Sequence, residues 1–205
     1  MGAAEQDYRH ELFTLGHSNH SWEAFLDLLR ANGILVVADV RSNPYSRYVP
    51  HFNKAALSQA LPSAGIGYLF LGDRLGGHPA AADLYDLDGR VLYERLADSA
   101  AFREGLDRLR QSLRIGHTAI LCGEEDPIHC HRRLLIARVL SREGIETRHL
   151  RSDGQVQTEP ELAALEALSQ PQHGQMDLFA AEDVRPWKST RSVLPKKAPK
   201  SSSPS

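Results

Sequence analysis

The stretch that most restricts the fold is Ile34 to Val40, read Ile-Leu-Val-Val-Ala-Asp-Val. It is β-branched and almost continuously apolar, as expected of a strand covered on both faces in a parallel sheet. Its surroundings agree. Leu12 to Leu15 reads as a short buried strand that stops at Gly16. Ser21 is placed to cap a helix, and Glu23 sits favourably in the first turn. Trp22, Phe25, Leu26 and Leu29 recur at helical spacing and give one apolar face, which Asn32-Gly33 closes. Strand, helix and strand make a βαβ unit.

The alternation continues. A helix is expected over 53–61, a strand over 66–72, and irregular or short-helical chain over 73–100. Phe102, Leu106, Leu109 and Leu113 mark a further helix. His117 to Cys122 is a strand, Arg132 to Glu143 a helix and Glu146 to Leu150 a fifth strand. Strands alternating with helices imply an α/β domain with a mainly parallel sheet of about five strands and right-handed crossovers. Thr158 with Glu161 forms a capping box for a last helix, so the domain is expected to span 10–169. From Gln170 the chain turns rich in Pro, Ser, Lys and Gln, which predicts a disordered tail over 170–205. From Val184 onward that tail carries six basic residues and no acid.

The chain has 205 residues and a net charge of −2, so no overall basic excess announces nucleic acid, although a local groove can hide in a neutral total. Two cysteines are too few for a disulfide framework. No apolar run approaches membrane-spanning length, and the charged N-terminus lacks the apolar core of a signal peptide. The expectation is a cytoplasmic protein with reduced thiols and no membrane partner.

In open parallel sheets, ligands bind beyond the carboxyl ends of the strands. There the sequence sets His17 and Ser18, Asp39 with Arg41, and Cys122 with Glu124. Arg41 and Arg47, interleaved with Tyr45 and Tyr48, are a combination able to hold a phosphate and stack a base. The densest chemistry lies in LCGEEDPIHCHRR, residues 121–133. Cys130 or His131 begins a helix, where free N–H groups favour a thiolate or a bound anion. Cys130, His131 and Asp39 are therefore the candidate catalytic groups. His17, Ser18, Arg41, Arg47, Cys122, Glu124 and Arg132 are candidates for substrate or phosphate binding. No metal is expected, because residues 129, 130 and 131 cannot all point one way in regular structure and no CxxC pair is present. The sequence names no cofactor.

The motifs TLGHS (14–18), ADVRSNPYSR (38–47), FNKAALSQAL (52–61), GIGYLFLGDRLGG (65–77) and LCGEEDPIHCHRRLLIARVL (121–140) occur in this order. Together they resemble the bacterial and archaeal family known as domain of unknown function 488, over about residues 12–150. The resemblance implies a compact Rossmann-like α/β domain, a three-layer sandwich. By matching position, His17, Ser18, Asp39, Arg41, Pro44, Gly76, Gly77, Cys122, Cys130, His131 and Arg132 fall on the family's recurrent pattern. It carries no reaction across.

A second resemblance lies in the tail. Gln175, Met176, Asp177, Leu178 and Phe179 resemble the bacterial sliding-clamp-binding pentapeptide, usually Gln-Leu-Ser/Asp-Leu-Phe. Such a peptide needs one amide to fix register and two apolar anchors for a hydrophobic pocket. The expectation is a DNA- or nucleotide-associated protein, recruited by the sliding clamp, that acts as an enzyme on a nucleotide or on damaged or modified DNA. The alternative is a non-catalytic nucleotide- or DNA-binding module tethered to replication or repair machinery.

Overall fold

The computed structural model describes residues 11–169 and 187–193. Its core is a six-stranded sheet in the order β3-β2-β4-β1-β5-β6. The strands are β1 (Glu11–Gly16), β2 (Val36–Asp39), β3 (Gly67–Phe70), β4 (Thr118–Cys122), β5 (Glu146–Leu150) and β6 (Val156–Thr158). All neighbours run parallel except β5 and β6. The sixth strand, a three-residue antiparallel edge, is too short to show an alternation in sequence.

The helices are α1 (Trp22–Ala31), α2 (Lys54–Ser63), α3 (Gly72–Leu75), α4 (Tyr93–Asp98), α5 (Ala100–Leu113), α6 (Arg138–Ser141) and α7 (Glu159–Ser169). Ser21 caps α1 as expected, its hydroxyl accepting from Ala24 N at 3.1 Å. The helix expected from Arg132 begins instead as a π-helical stretch, Arg132–Ala137, and only then becomes α6. Such widened turns concentrate at functional sites.

Two buried clusters flank the sheet and make three layers. Leu12, Ala38, Val40 and Ile120 face one core, with Phe102, Leu106 and Leu109 of α5 and Leu135, Ile136 and Leu140. Phe13, Val37, Ala119 and Leu121 face the other, with Phe25 and Leu29 of α1 and Leu57 and Leu61 of α2. The chain thus leaves β1 onto one face and leaves the adjacent β4 onto the opposite face. Loops that diverge in this way open a crevice between two strand ends, where α/β sheets bind ligands. Backbone bonds continue past the strands there, His17 N to Cys122 O and Ser18 N to Gly123 O, both 3.0 Å. Gly16 permits that junction, since a Cβ on it would lie 1.7 Å from the Glu124 carbonyl oxygen.

Residues 187–193, which composition assigns to a disordered tail, dock on the domain. Lys188 bridges Leu92, Tyr93 N donates to Trp187 O at 2.9 Å, and Ser189 N donates to Val91 O at 2.9 Å. The Trp187 ring lies between Tyr93 and the guanidinium groups of Arg138 and Arg142. A tryptophan packed against the core outweighs a disorder-promoting neighbourhood, because its ring is large and apolar. The clamp-like residues 175–179 lie outside the described residues.

Candidate functional site

At the β1–β4 crevice lies a cavity of about 650 Å³, within the roughly 300–1,000 Å³ usual for small-molecule sites. His17, Arg41, Cys122, Cys130 and His131 line it, with Tyr45 and Arg191 also on its wall. Among the sequence candidates, Glu124 lines it too. Tyr45 is 70% exposed, so a bare aromatic face stands at the rim.

Cys122 ends β4, and Cys130 with His131 opens the π-helical stretch. The two sulfurs and one imidazole nitrogen lie within 4.8 Å of one another. His131 Nδ1 is 3.9 Å from Cys122 Sγ and 3.8 Å from Cys130 Sγ. Its other nitrogen, Nε2, is 3.2 Å from the Val40 carbonyl and donates to it, which turns Nδ1 towards the sulfurs. Gly77 holds the ring in place, for a Cβ there would come 2.9 Å from His131 Cγ. Residues 129, 130 and 131 do not all point one way, as expected, but Cys130 lies in the turn before the helix and so converges with its neighbour His131. His129 does not join them.

The pair of thiols is polarised. The Cys122 thiol is held well below the ordinary thiol range, first by the hydrogen bond from Cys130 and then by His131 and Arg132, against the opposing effect of burial. Cys130 is pushed well above that range by donating that hydrogen bond and by burial. The helix-start argument made Cys130 the thiolate. The hydrogen bond between the two thiols runs the other way: Cys130 donates it, which lowers Cys122 and raises Cys130.

His17 follows β1 and stacks on Phe52, with centroids 4.6 Å apart. Its Nδ1 donates to Ser18 O at 2.9 Å, so Nε2 is its acceptor. Burial is the main cause that lowers its pKa and keeps the ring neutral. Ser18 itself has φ of 43°, in the left-handed region. It contributes backbone groups that orient His17, and its hydroxyl is outside the cavity wall.

Four other candidates take different places. Asp39 is fully buried and bound by Arg41 through Nε at 2.8 Å and Nη2 at 2.6 Å, with Tyr68 OH donating to it at 2.8 Å. It is a buried anchor and not an acid or base on the cavity wall. Arg41 also donates to Phe52 O at 2.8 Å, so of its guanidinium nitrogens Nη1 alone lies outside these contacts. Arg132 is 1% exposed, and its terminal nitrogens donate to the carbonyls of Glu124 and Glu125. It pins the loop after β4 and stands off the cavity wall, with its buried Nε left without a hydrogen-bond partner. Arg47 is exposed, stacked on Tyr48 with its carbon 4.7 Å from the ring centroid, and stands off the cavity wall.

Sequence reading missed the wall formed by Ser189 to Val193 and the buried Tyr93 behind it. Trp187 is the only signal that could have found that segment, as a large apolar residue in a polar context.

The profile described as Domain of unknown function DUF488 matches residues 21–139, more than half of the chain. The chain belongs to this family. The match includes Cys122, Cys130 and His131 of the DUF488 domain, and leaves β1 with His17, the β5–β6 edge and the docked 187–193 segment outside it. No curated protein and no solved structure matches the chain. Among the described residues no helix is long and apolar enough to cross a membrane.

Proposed function

We propose that the crevice is the active site of an enzyme that acts on a nucleotide, or on a damaged or modified nucleotide in DNA, and that residues 175–179 recruit it to a sliding clamp. The observation that carries the enzymatic part is the convergence of a neutral imidazole acceptor, His17 Nε2, with the Cys122–Cys130–His131 cluster on one cavity. An inert pocket needs no bare nitrogen and no sulfur pair. The nucleotide part is supported by the rim. Exposed Tyr45 offers a face for base stacking, and Arg191 and Arg41 Nη1 offer cationic donors. The tail pentapeptide supplies the link to replicating or repaired DNA.

The test is to incubate the full chain with nucleoside mono- and diphosphates and with short oligonucleotides carrying altered bases. Binding is followed by tyrosine and tryptophan fluorescence, and the recovered ligand by mass spectrometry. The expected result is one class converted, with turnover reduced about 10²–10⁴-fold in His17→Gln, the usual contribution of a positioned acid or base. Ligand bound and recovered unchanged, with His17→Gln tolerated, would make the domain a binding module. No binding by any class would overturn the nucleotide reading.

A further inference from the structure

We infer that Cys122, Cys130 and His131 form a zinc site with three protein ligands and a fourth position open to the cavity. It concerns the same crevice as the proposed activity, but it stands on the cluster's own geometry.

Three features agree. The first is size. With Zn–S of about 2.3 Å and Zn–N of about 2.0–2.1 Å at tetrahedral angles, sulfur and nitrogen ligands stand about 3.6 Å apart. The two S···Nδ1 distances here are 3.9 and 3.8 Å, within a few tenths of that edge. They are also nearly equal. A thiol donating to Nδ1 would draw one sulfur closer, whereas a cation shared by all three atoms keeps both at the same distance.

The second feature is the tautomer. A metal-ligating histidine donates its other N–H to a carbonyl or carboxylate, which fixes the ring and aims the lone pair. His131 does this through Nε2 to Val40 O, with Gly77 packed on the ring. The third is the ligand chemistry. Two buried thiols, 8% and 2% exposed, match the preference of soft ligands for zinc, and two thiolates neutralise a divalent cation in a buried place.

All three ligand residues line the cavity, so the remaining tetrahedral position faces it. Three protein ligands with one open position is the arrangement of catalytic zinc, in contrast to the four closed ligands of structural sites. Zinc held by these three residues would supply Lewis-acid activation of a water in the crevice. The site is thus fitted to hydrolysis of a ligand held in the same cavity.

The test uses the full-length, reduced chain under anaerobic conditions, titrated with Co²⁺ and then Zn²⁺, with no nucleotide present. The expected result is about one cobalt per chain, with the intense visible bands of tetrahedral cobalt, a near-ultraviolet thiolate charge-transfer band, and displacement by zinc. Cys130→Ser and His131→Ala should weaken binding by more than about 100-fold, because loss of an outer-shell partner alone weakens it about 10–100-fold. Zinc should also shield both wild-type thiols from iodoacetamide, a readout that holds even where a variant fails to fold. The assignment is overturned by a folded, reduced wild-type chain that takes up no cobalt, by weak octahedral bands without charge transfer, or by alkylation rates indifferent to zinc. Unaltered affinity in folded variants would also overturn it. Metal binding without nucleotide conversion would leave this site standing and remove the proposed substrate class instead.

Discussion

Arg41 closes a two-pronged ion pair on Asp39, two residues before it in the chain, through Nε at 2.8 Å and Nη2 at 2.6 Å. Side by side at a strand end, an acid and an arginine read as catalysis and phosphate binding. Folded, they occupy each other, and together with Tyr68 and the Phe52 carbonyl they fix the loop that begins the crevice wall.

That pairing sets the first prediction. Asp39→Asn leaves the Arg41 charge buried without its partner and should cost about 3–5 kcal/mol. Asp39→Leu combined with Arg41→Met should recover most of the loss, since apolar residues of similar volume replace a buried pair with little penalty. Urea denaturation of the three proteins measures this. Equal stability of Asp39→Asn and the parent chain would show that the pair is not a structural anchor.

The second concerns the docked segment. Trp187 donates its indole N–H to Leu134 O at 2.7 Å and packs against the core cluster that holds Leu135, Ile136 and Leu140. Trp187→Ala should destabilise the chain by about 2 kcal/mol, less than a fully buried tryptophan because the ring is half-buried. Proteolysis near residues 187–193 should accelerate in parallel. An unchanged denaturation midpoint would mean that the segment contributes nothing to stability.

Acid sensitivity provides a third. His149 is buried, its Nδ1 2.8 Å from Thr14 Oγ1 and its Nε2 3.1 Å from Glu159, with Arg133 spanning Glu159 and Glu166 and Arg132 close enough to act on it. Burial lowers its pKa despite the opposing pull of Glu159. The unfolded chain therefore binds the proton first, near pH 6.5. Stability should be full above that value and fall as pH drops below it towards the folded pKa. Glu159 is itself lowered against burial by His149 and Arg133, which adds a loss as pH falls below its usual carboxylate range. Thermal melts of wild type and His149→Gln between pH 7.5 and about 5 should show a shallower slope in the variant. Parallel slopes would remove His149 as a cause.

The fourth tests recruitment. A fluorescent peptide spanning residues 173–184 should bind a bacterial sliding clamp saturably in the micromolar range, about −8 kcal/mol. Leu178→Ala with Phe179→Ala should abolish binding in peptide and full chain alike, and leave the melting temperature unchanged. Equal affinity before and after the double substitution would exclude these residues as the anchor.

Much of the sheet is legible in the sequence because its signals are short-range. The cap at Ser21, the i, i+3, i+4 spacing of α1 and the apolar run that becomes β2 all act within a few residues. The elements that escape reading are those whose stability comes from elsewhere. β6 has three residues and is held by pairing with β5. The segment docked at Lys188 is held by an isolated bridge to Leu92, far away in the sequence. The site shows the same division. Residue types at strand ends were legible, so His17, Cys122, Cys130 and His131 could be named in advance. Their roles were not, because a side chain's role follows its partners, and Arg132 and Asp39 found theirs in the backbone and in Arg41.

By itself the sequence determined the alternation of strands and helices, the family, and the stock of reactive groups, all carried by local periodicity and ordered motifs. Only the tertiary structure decided which of those groups meet. Pairing of β1 with β4 sets His17 beside Cys122, the turn before the π-helical stretch swings Cys130 and His131 onto one point, and the docked segment closes the wall. Those juxtapositions depend on burial and on contacts across the chain. The hydrogen bond from Cys130 to Cys122 also sets the direction in which each thiol is shifted, since the energy of an ionised group is set by what surrounds it and not by its neighbours in sequence.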